Sequence, residues 1–326
     1  MGRNILLLLG SLLLVTVLSE FLVRMFVPVR MVGSSFTVYD PILGKRLKNN
    51  FTTIRKTPEF TIKFSTNSYS HRGPEPESFP TQSILFLGDS FTMGYGVTDG
   101  EEFPAIIRSK LSEQNQPIPI VNTGMGANGN GRWIKFLHTE AKAYKPRVVI
   151  IQLMANDFSD NIHERLFELS TDNQLTELPV PPIETIRVVQ NVVDKIPGLA
   201  NSHLLGLAYQ TFKEFGQRSI SPATITADTD YISIDSDELT YRILDEVISI
   251  CRQENWPMLA ISVGIRGQRA VEIIRQLRAA DIPTITTPGR DERPDLFYEI
   301  DGHWNPAGHA LIADLVLSEL ASLRIP

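Results

Sequence analysis

Apolar and polar positions divide the chain into three regions with different patterns. Apolar residues dominate residues 1–32, whereas residues 33–82 are extended, turn-rich and partly alternating. From residue 83 to residue 326, short apolar runs alternate with segments in which apolar residues recur at helical spacing. We therefore predict an N-terminal apolar helix, a β-rich lead-in and one large α/β domain.

The large domain is expected to contain a parallel sheet. Its short apolar runs carry almost no polar residues, which is typical of strands in a sheet that helices cover on both faces. The candidate strands are Ile84–Leu87, Ile118–Val121, Val148–Met154, Met258–Val263 and Ile282–Thr286. In such a sheet, ligands bind beyond the carboxyl ends of the strands.

Two further segments have distinct patterns. In the lead-in, "FTIKFSTN" alternates apolar and polar residues with the period of a half-buried strand, and a proline-rich stretch at residues 72–82 marks the boundary of the large domain. Within that domain, residues 158–235 separate the third predicted strand from the next helix. A polar connection of this length is typical of a functional insertion or lid.

The N-terminal segment has the length and composition of a membrane-spanning helix. Ile5–Val23 covers 19 residues with one carboxylate, Glu20, which at about 1.5 Å per residue is enough to cross about 30 Å of hydrocarbon. A cleaved secretory signal is the alternative, but no small-x-small cleavage site follows the apolar core. Arg3 lies on one side, and Arg24 and Arg30 lie on the other. We expect residues 1–32 to be a membrane anchor or signal segment, with the domain facing the periplasm or another extracytoplasmic space.

Composition and charge exclude several partners. The net charge of −6 is spread without basic runs, so nucleic acid is not an expected partner. The single cysteine, Cys251, lies in an apolar helical pattern and is expected to be a buried small hydrophobe. His303 and His309 are six residues apart, a spacing that does not give the paired face of a helical zinc site. Neither a metal nor an organic cofactor is expected.

Small polar or glycine-rich stretches follow the first three predicted strands. "GDS" places Ser90 after the first strand, a glycine-rich loop at residues 121–131 follows the second, and "MANDF" places Asn156 after the third. Near the C-terminus, "YEIDGHWNP" supplies Asp301 and His303 just before a predicted helix. Because the carboxyl ends of parallel strands meet at one edge of a sheet, we expect these residues to lie close together.

Together these residues have the chemistry of a serine-dependent acyl-transfer site. A serine hydroxyl becomes an effective nucleophile when a base accepts its proton, and a carboxylate best holds that base in one tautomer. Ser90, His303 and Asp301 can fill these three roles. A tetrahedral intermediate also needs hydrogen-bond donors aimed at its oxyanion. The candidate donors are the backbone N–H of Ser90, an N–H at Gly126 or Ala127, and the side-chain amide of Asn156.

The same blocks resemble the four signature blocks of the SGNH, or GDSL, hydrolase superfamily. Its signature residues are a serine in Gly-Asp-Ser, a glycine in the loop after the second strand, an asparagine in Asn-Asp, and a histidine preceded by an aspartate. Ser90, Gly126, Asn156 and His303 occupy those blocks in that order, and the similarity covers residues 83–323. "YDPILGKRL" and "TNSYSHRGPEP" also resemble the lead-in of membrane-anchored members. The resemblance implies a three-layer α/β/α domain of the flavodoxin-like doubly wound type.

Two positions depart from the superfamily pattern. In many members the loop glycine is the sixth residue of Asn-x-Gly-x-x-Gly, but counting from Asn122 places Ala127 there and Gly126 one residue earlier. Common members also place the aspartate three residues before the histidine, whereas Asp301 is two residues before it. This spacing resembles the alginate O-acetyltransferase branch, and it leaves Glu299 as an alternative orienting carboxylate.

The resemblance implies a serine-dependent ester hydrolase that acts through an acyl-enzyme on an acylated carbohydrate or lipid and needs no cofactor. An O-acetyltransferase of an exported polysaccharide is the alternative with the same chemistry. A catalytically inactive glycan-binding module is the alternative of another class. The expected partners are an acylated small molecule, glycan or lipid as substrate, and the membrane through the N-terminal helix.

Overall fold

The computed structural model describes residues 2–27, 29, 35–126, 128–181, 193, 195–196, 198–208, 211 and 222–324. Arg30, Ala127 and residues 182–192 of the predicted insertion lie outside the described residues. The described α-helices include α1 (Gly2–Phe26), α2 (Ser90–Met93), α3 (Phe103–Glu113), α4 (Gly131–Phe136), α5 (Lys142–Tyr144), α6 (Asp157–Glu164), α7 (Pro222–Gln253), α8 (Gly267–Ala279) and α9 (Pro306–Ser322). A π-helix at Leu137–Ala141 joins α4 to α5, and short 3-10 helices lie at Leu199–Asn201 and Pro294–Leu296.

Eleven strands occur in the described part of the chain. They are β1 (Thr37–Asp40), β2 (Gly44–Leu47), β3 (Thr52–Lys56), β4 (Thr61–Ser65), β5 (Ile84–Leu87), β6 (Ile120–Asn122), β7 (Val148–Met154), β8 (Phe167–Leu169), β9 (Leu175–Glu177), β10 (Met258–Val263) and β11 (Thr284–Thr286). Five of them form one parallel sheet in the order β11-β10-β7-β5-β6. Numbered within the sheet, this order is 2-1-3-4-5, which confirms the flavodoxin-like doubly wound type.

Two of the predicted strands begin later than expected, and proline explains both differences. The strands predicted at Ile118–Val121 and Ile282–Thr286 begin at Ile120 and Thr284, directly after Pro119 and Pro283. Proline has no N–H to donate, so it stands before the ladder rather than within it. Each proline carbonyl still accepts a hydrogen bond from the neighbouring strand, at 2.9 Å in both cases.

Apolar cores cover both faces of the parallel sheet. Because side chains alternate along a strand, Leu85 and Leu87 pack with α4, α7 and α8, whereas Ile84 and Phe86 pack on the other face with α3 and α9. All four side chains are at most 1% exposed. The sheet is therefore the middle of three layers. Both of its faces are covered, so the polar candidate residues lie beyond the ends of its strands.

The chain forms two compact units, of which the first contains residues 1–35, 54–61 and 184–229. In that unit α1 has a mean hydropathy of 2.4 and is long and apolar enough to cross a membrane, a test that a signal sequence also passes. The Glu20 carboxylate accepts hydrogen bonds from Ser202 Oγ at 2.7 Å and from the N–H groups of His203 and Leu204 at 2.8 and 2.9 Å. The acid in the apolar helix is thus hydrogen-bonded, as a partly buried carboxylate requires.

The second unit contains the sheet and most of the lead-in. Along β4 the side chains alternate as predicted, with Ile62 and Phe64 buried and Thr61 and Lys63 exposed. Strand β1 pairs antiparallel with β2 as a separate two-stranded sheet.

Arg72 joins the lead-in to the turn that follows α2. Its guanidinium is fully buried and donates to the carbonyls of Met93, Gly94 and Val97 at 2.8, 2.5 and 2.7 Å. Glu102, 2% exposed, lies 3.6 Å from the same group and balances its charge. A buried charge is tolerated only when it is paired and hydrogen-bonded, so this turn and the lead-in are structurally dependent on each other.

Candidate active site

Ser90 begins a short helix directly beyond the carboxyl end of β5. Asp89 caps this helix, because its Oδ1 accepts the N–H of Phe91 at 2.8 Å. Gly94 ends the helix in the left-handed conformation at φ 78°, which glycine adopts without strain. The single turn between these two residues holds the serine side chain, half-buried, at the edge of the sheet.

A hydrogen-bonded chain joins the predicted nucleophile, base and carboxylate. Ser90 Oγ lies 2.7 Å from His303 Nε2, and His303 Nδ1 lies 2.5 Å from Asp301 Oδ1. The Asp301 side chain is 6% exposed and that of His303 is 20% exposed. An ionised carboxylate can only accept, so Nδ1 carries the proton and Nε2 is left to accept the Ser90 hydroxyl.

The two-residue spacing between aspartate and histidine is accommodated by the residue between them. Gly302 has a φ of 83°, a value that favours glycine, and its N–H donates to the carbonyl of Tyr298 at 3.2 Å. The chain turns sharply there, so Asp301 and His303 can face each other. The alternative carboxylate, Glu299, is an exposed residue whose backbone carbonyl accepts from Arg290, so it is Asp301 that meets the imidazole.

The imidazole of His303 is packed as well as hydrogen-bonded. The rings of Phe91 and Tyr95 lie 4.8 and 5.0 Å from it, centroid to centroid. The next residue, Trp304, is 1% exposed and contacts Phe91 edge to face. After it, Asn305 caps α9 by accepting the N–H of Gly308 at 3.1 Å. The histidine therefore packs against the rings of Phe91 and Tyr95 and lies just before the capped start of α9.

The glycine-rich loop after β6 packs closely on the serine helix. A Cβ at Gly124 would lie 2.3 Å from the backbone nitrogen of Met93, so only glycine fits there. A Cβ at Gly126 would lie 3.4 Å from Ser90 Cβ, which places Gly126 directly beside the serine. Ala127 lies outside the described residues, so the choice between residues 126 and 127 as oxyanion donor stays a prediction.

Asn156 follows β7, the strand that pairs with β5, and it therefore reaches the same edge as Ser90. Asn156 directly precedes α6, and its Nδ2 donates to Oδ2 of Asp160 in that helix at 2.7 Å. Sequence reasoning did not identify Asp160. Its signal was the i, i+4 spacing from the asparagine, which puts two side chains on one face of a helix.

Two buried carboxyl groups lie beneath the site. Asp89 is 1% exposed, and burial raises its pKa to about 6. The pKa of Asp157 is raised well above its usual range by burial and, secondarily, by the charge of Asp89. Gln152 Oε1 accepts from the Asp89 N–H at 3.3 Å and from Thr92 Oγ1 at 2.9 Å. Gln152 was also missed, although a polar residue inside the apolar run "VVIIQLM" was a signal.

The other buried histidines lie outside the hydrogen-bonded chain. His71 Nε2 lies 2.8 Å from the Tyr144 hydroxyl, and burial lowers the pKa of His71 to about 3. His309 Nδ1 accepts the N–H of Phe103 at 3.3 Å, and burial lowers its pKa to about 3 as well. Both rings are therefore neutral structural groups near pH 7. Within the described ranges, no group of three or more His, Cys, Asp or Glu side chains is arranged to hold a metal ion.

One curated protein and several solved structures are similar to parts of this chain. A curated arylesterase from Vibrio mimicus is 27% identical over 77 residues, which are 24% of this chain and 38% of the arylesterase. The chain thus matches well under two thirds of the length of that relative. Among solved structures, the psychrotrophic esterase EstA from Pseudoalteromonas sp. is 13% identical, covering 75% of this chain and 100% of EstA, with a TM-score of 0.44. TesA is 14% identical, covering 74% of this chain and 99% of TesA, with a TM-score of 0.43.

The family assignment rests on a longer match. The model of the GDSL-like lipase/acylhydrolase family matches residues 86–311, more than half of the chain. This range includes Ser90, Gly126, Asn156 and His303, and it excludes α1 and the lead-in strands. The chain therefore belongs to the GDSL-like lipase/acylhydrolase family.

Proposed function

We propose that this protein is a serine-dependent ester hydrolase in which Ser90 attacks, His303 transfers the proton and Asp301 orients the histidine. The observation that carries the proposal is the chain of contacts from Ser90 Oγ to His303 at 2.7 Å and from His303 to Asp301 at 2.5 Å. Three residue types with complementary roles meet there in the geometry that nucleophilic catalysis requires. Membership of an acylhydrolase family supports the ester bond as the target.

The reaction proceeds in two balanced steps through an acyl-enzyme. Ser90 Oγ attacks the ester carbonyl while His303 Nε2 accepts the hydroxyl proton; the bond to the alcohol oxygen then breaks, and that oxygen leaves with the proton from the imidazolium. A water molecule next gives a proton to Nε2 as its oxygen attacks the acyl carbon. The carboxylic acid leaves as Ser90 Oγ recovers the proton. Asp301 keeps Nδ1 protonated and stabilises the imidazolium in both steps.

The oxyanion that forms in each step needs donors on the side of Ser90 away from the histidine. The proposed donors are the N–H of Ser90, an N–H at Gly126 or Ala127, and the amide of Asn156. Asp160 supports the last of these, because it accepts one N–H of the amide at 2.7 Å. Turning the amide over would place two oxygens at that distance with no hydrogen between them. The carboxylate therefore fixes the amide with its nitrogen towards Asp160, and the second N–H of that nitrogen can face the oxyanion.

An acylated carbohydrate or lipid is the proposed substrate class, with the catalytic domain on the extracytoplasmic side of a membrane. The apolar helix α1 supports attachment to a membrane, and the side on which the domain lies is part of the proposal. An O-acetyltransferase of an exported polysaccharide is the second candidate, and the two-residue spacing of Asp301 and His303 favours it. The two activities share the acyl-enzyme and differ only in whether water or a sugar hydroxyl accepts the acyl group.

The nucleophile is tested by covalent labelling of the full-length protein in detergent. A fluorophosphonate probe is expected to label Ser90, and Ser90→Ala is expected to abolish labelling and to lower hydrolysis of p-nitrophenyl acetate by at least about 10³-fold. Ser112→Ala, at an exposed position in α3, serves as the matched control and should change neither. Folded wild-type protein that is not labelled at Ser90 would show that the proposed function is wrong.

A competition experiment distinguishes hydrolysis from transfer, because water and a sugar hydroxyl compete for the acetyl group of one donor. An acetylated oligosaccharide is incubated with the protein, with and without an added unacetylated oligosaccharide. The release of acetate and the mass of the acceptor are then followed. We expect release into water to exceed transfer. Transfer in large excess over release would instead make the protein an acetyltransferase.

The oxyanion assignment predicts graded losses in kcat. Asn156→Ala removes a donor that acts mainly in the transition state, so kcat should fall by about 10²–10³-fold with little change in KM. Asp160→Asn leaves the donor but no longer fixes its orientation, and a fall of about tenfold is expected. Asp172→Asn, at an exposed position, is the control. If Asp160→Asn behaves like that control, the orienting role is wrong; an active Asn156→Ala would reject the donor itself.

A further inference from the structure

The lead-in reaches the glycine-rich loop through Lys45, a residue of β2. Its side chain is only 12% exposed, and its Nζ donates to the carbonyl of Gly126 at 3.4 Å. The same Nζ lies 3.7 Å from Glu164 Oε1 at the end of α6. The backbone carbonyl of Lys45 in turn accepts from the guanidinium of Arg132. Both the main chain and the side chain of this residue thus contact the loop or the helix that follows it.

Side chains rather than a β-ladder hold the second half of the loop. The N–H of Gly129 donates to Glu164 Oε2 at 3.0 Å, and the N–H of Asn130 donates to Asn161 Oδ1 at 2.6 Å. Glu164 therefore contacts the loop directly with one oxygen and faces Lys45 with the other. Together with the contact of Lys45, these hydrogen bonds hold the loop at Gly126, Gly129 and Asn130.

The charges in this cluster depend on one another. The Glu164 side chain is 17% exposed. Burial raises its pKa, whereas the positive charges of Lys45 and Arg132 oppose that rise. A partly buried carboxylate and ammonium are stable when each has its partner, and removing one of them leaves the other uncompensated. Lys45 and Glu164 are therefore expected to act as a pair.

We propose that Lys45 is a positioning residue that holds the Gly126 carbonyl and thereby sets the loop in the orientation that stabilises the oxyanion. The Gly126 carbonyl belongs to the loop that carries the candidate donors at residues 126 and 127, so a contact that holds this carbonyl also restricts the backbone that presents a donor. Gly126 lies against Ser90, as the distance of 3.4 Å from its ideal Cβ position to Ser90 Cβ shows. This inference rests on the proposed function and extends it to a segment that the family model, beginning at residue 86, does not include.

The lead-in contacts the site at a second point, which supports the same conclusion. Arg72 donates to the carbonyls of Met93, the last residue of the helix that Ser90 begins, and of Gly94, which ends that helix. The end of α2 and the glycine-rich loop are therefore both contacted by residues that lie upstream of the range matched by the family model. Arg72 is fully buried, so its removal is expected to unfold the protein. Lys45 is partly exposed, so it is the better residue to test.

The test compares Lys45→Met, Lys45→Arg and Lys63→Met in the full chain in detergent, with p-nitrophenyl acetate as substrate. Rates are expressed per active site, counted by exhaustive fluorophosphonate labelling, so that loss of folded protein does not count as loss of catalysis. Lys45→Met should lower kcat by about 10- to 100-fold and leave KM within about twofold, because a misplaced donor weakens the transition state more than the bound ester. Lys45→Arg should restore most of the rate, and Lys63→Met, exposed on β4, should match the wild type.

A Lys45→Met variant with full kcat per labelled site would overturn the inference, and so would a loss that appears only in the number of sites. Glu164→Gln added to Lys45→Met should cost little beyond the single change, because the two residues act as a pair. Independent, additive losses would reject the pairing. An inactive wild type that shows no labelling at Ser90 would instead reject the proposed function, so the two failures are distinguishable.

Discussion

The hydrogen-bonded chain from Asp301 through His303 to Ser90 is the interaction on which the proposed chemistry depends. Different local features of the backbone position the serine and the histidine. The serine stands on a one-turn helix between the Asp89 cap and Gly94, and the histidine lies between a left-handed glycine and the start of α9. Contacts of 2.7 and 2.5 Å across these elements require the sheet and the last helix to be packed in a single arrangement. The two apolar cores supply that packing.

Much of the fold could be predicted because its signals are local. Strands buried on both faces are apolar at nearly every position, so β5, β7 and β10 were predicted with the bounds that the structure has. The two displaced strand starts, at β6 and β11, reflect the missing N–H of Pro119 and Pro283, which apolar patterning alone does not register. The candidate site residues were expected to lie close together for a related reason, since parallel strands place their carboxyl ends at one edge.

What could not be predicted depends on contacts between residues far apart in sequence. Two carboxylates were candidates to orient His303, and only the turn at Gly302 shows that Asp301 meets the imidazole while Glu299 is exposed. The contacts of Arg72 with Met93 and of Lys45 with Gly126 likewise join residues that are far apart in the sequence. Charged residues in an extended, turn-rich segment are most simply expected to be solvated. The resemblance of both lead-in segments to membrane-anchored superfamily members therefore gave no indication that these two side chains contact the site.

The orienting carboxylate gives the most direct test of the central claim, because the sequence offers two neighbouring acids and the structure selects one. The kcat for p-nitrophenyl acetate should be measured for Asp301→Asn and Glu299→Gln, with folding of both variants checked by circular dichroism. Asp301→Asn should lower kcat by about 10⁴-fold, as replacing the orienting carboxylate does in serine proteases, because an amide no longer holds the imidazole in the productive tautomer. Glu299→Gln should remain within about twofold of the wild type, since surface substitutions rarely disturb a site they do not contact. A large loss in Glu299→Gln together with an active Asp301→Asn would contradict the account.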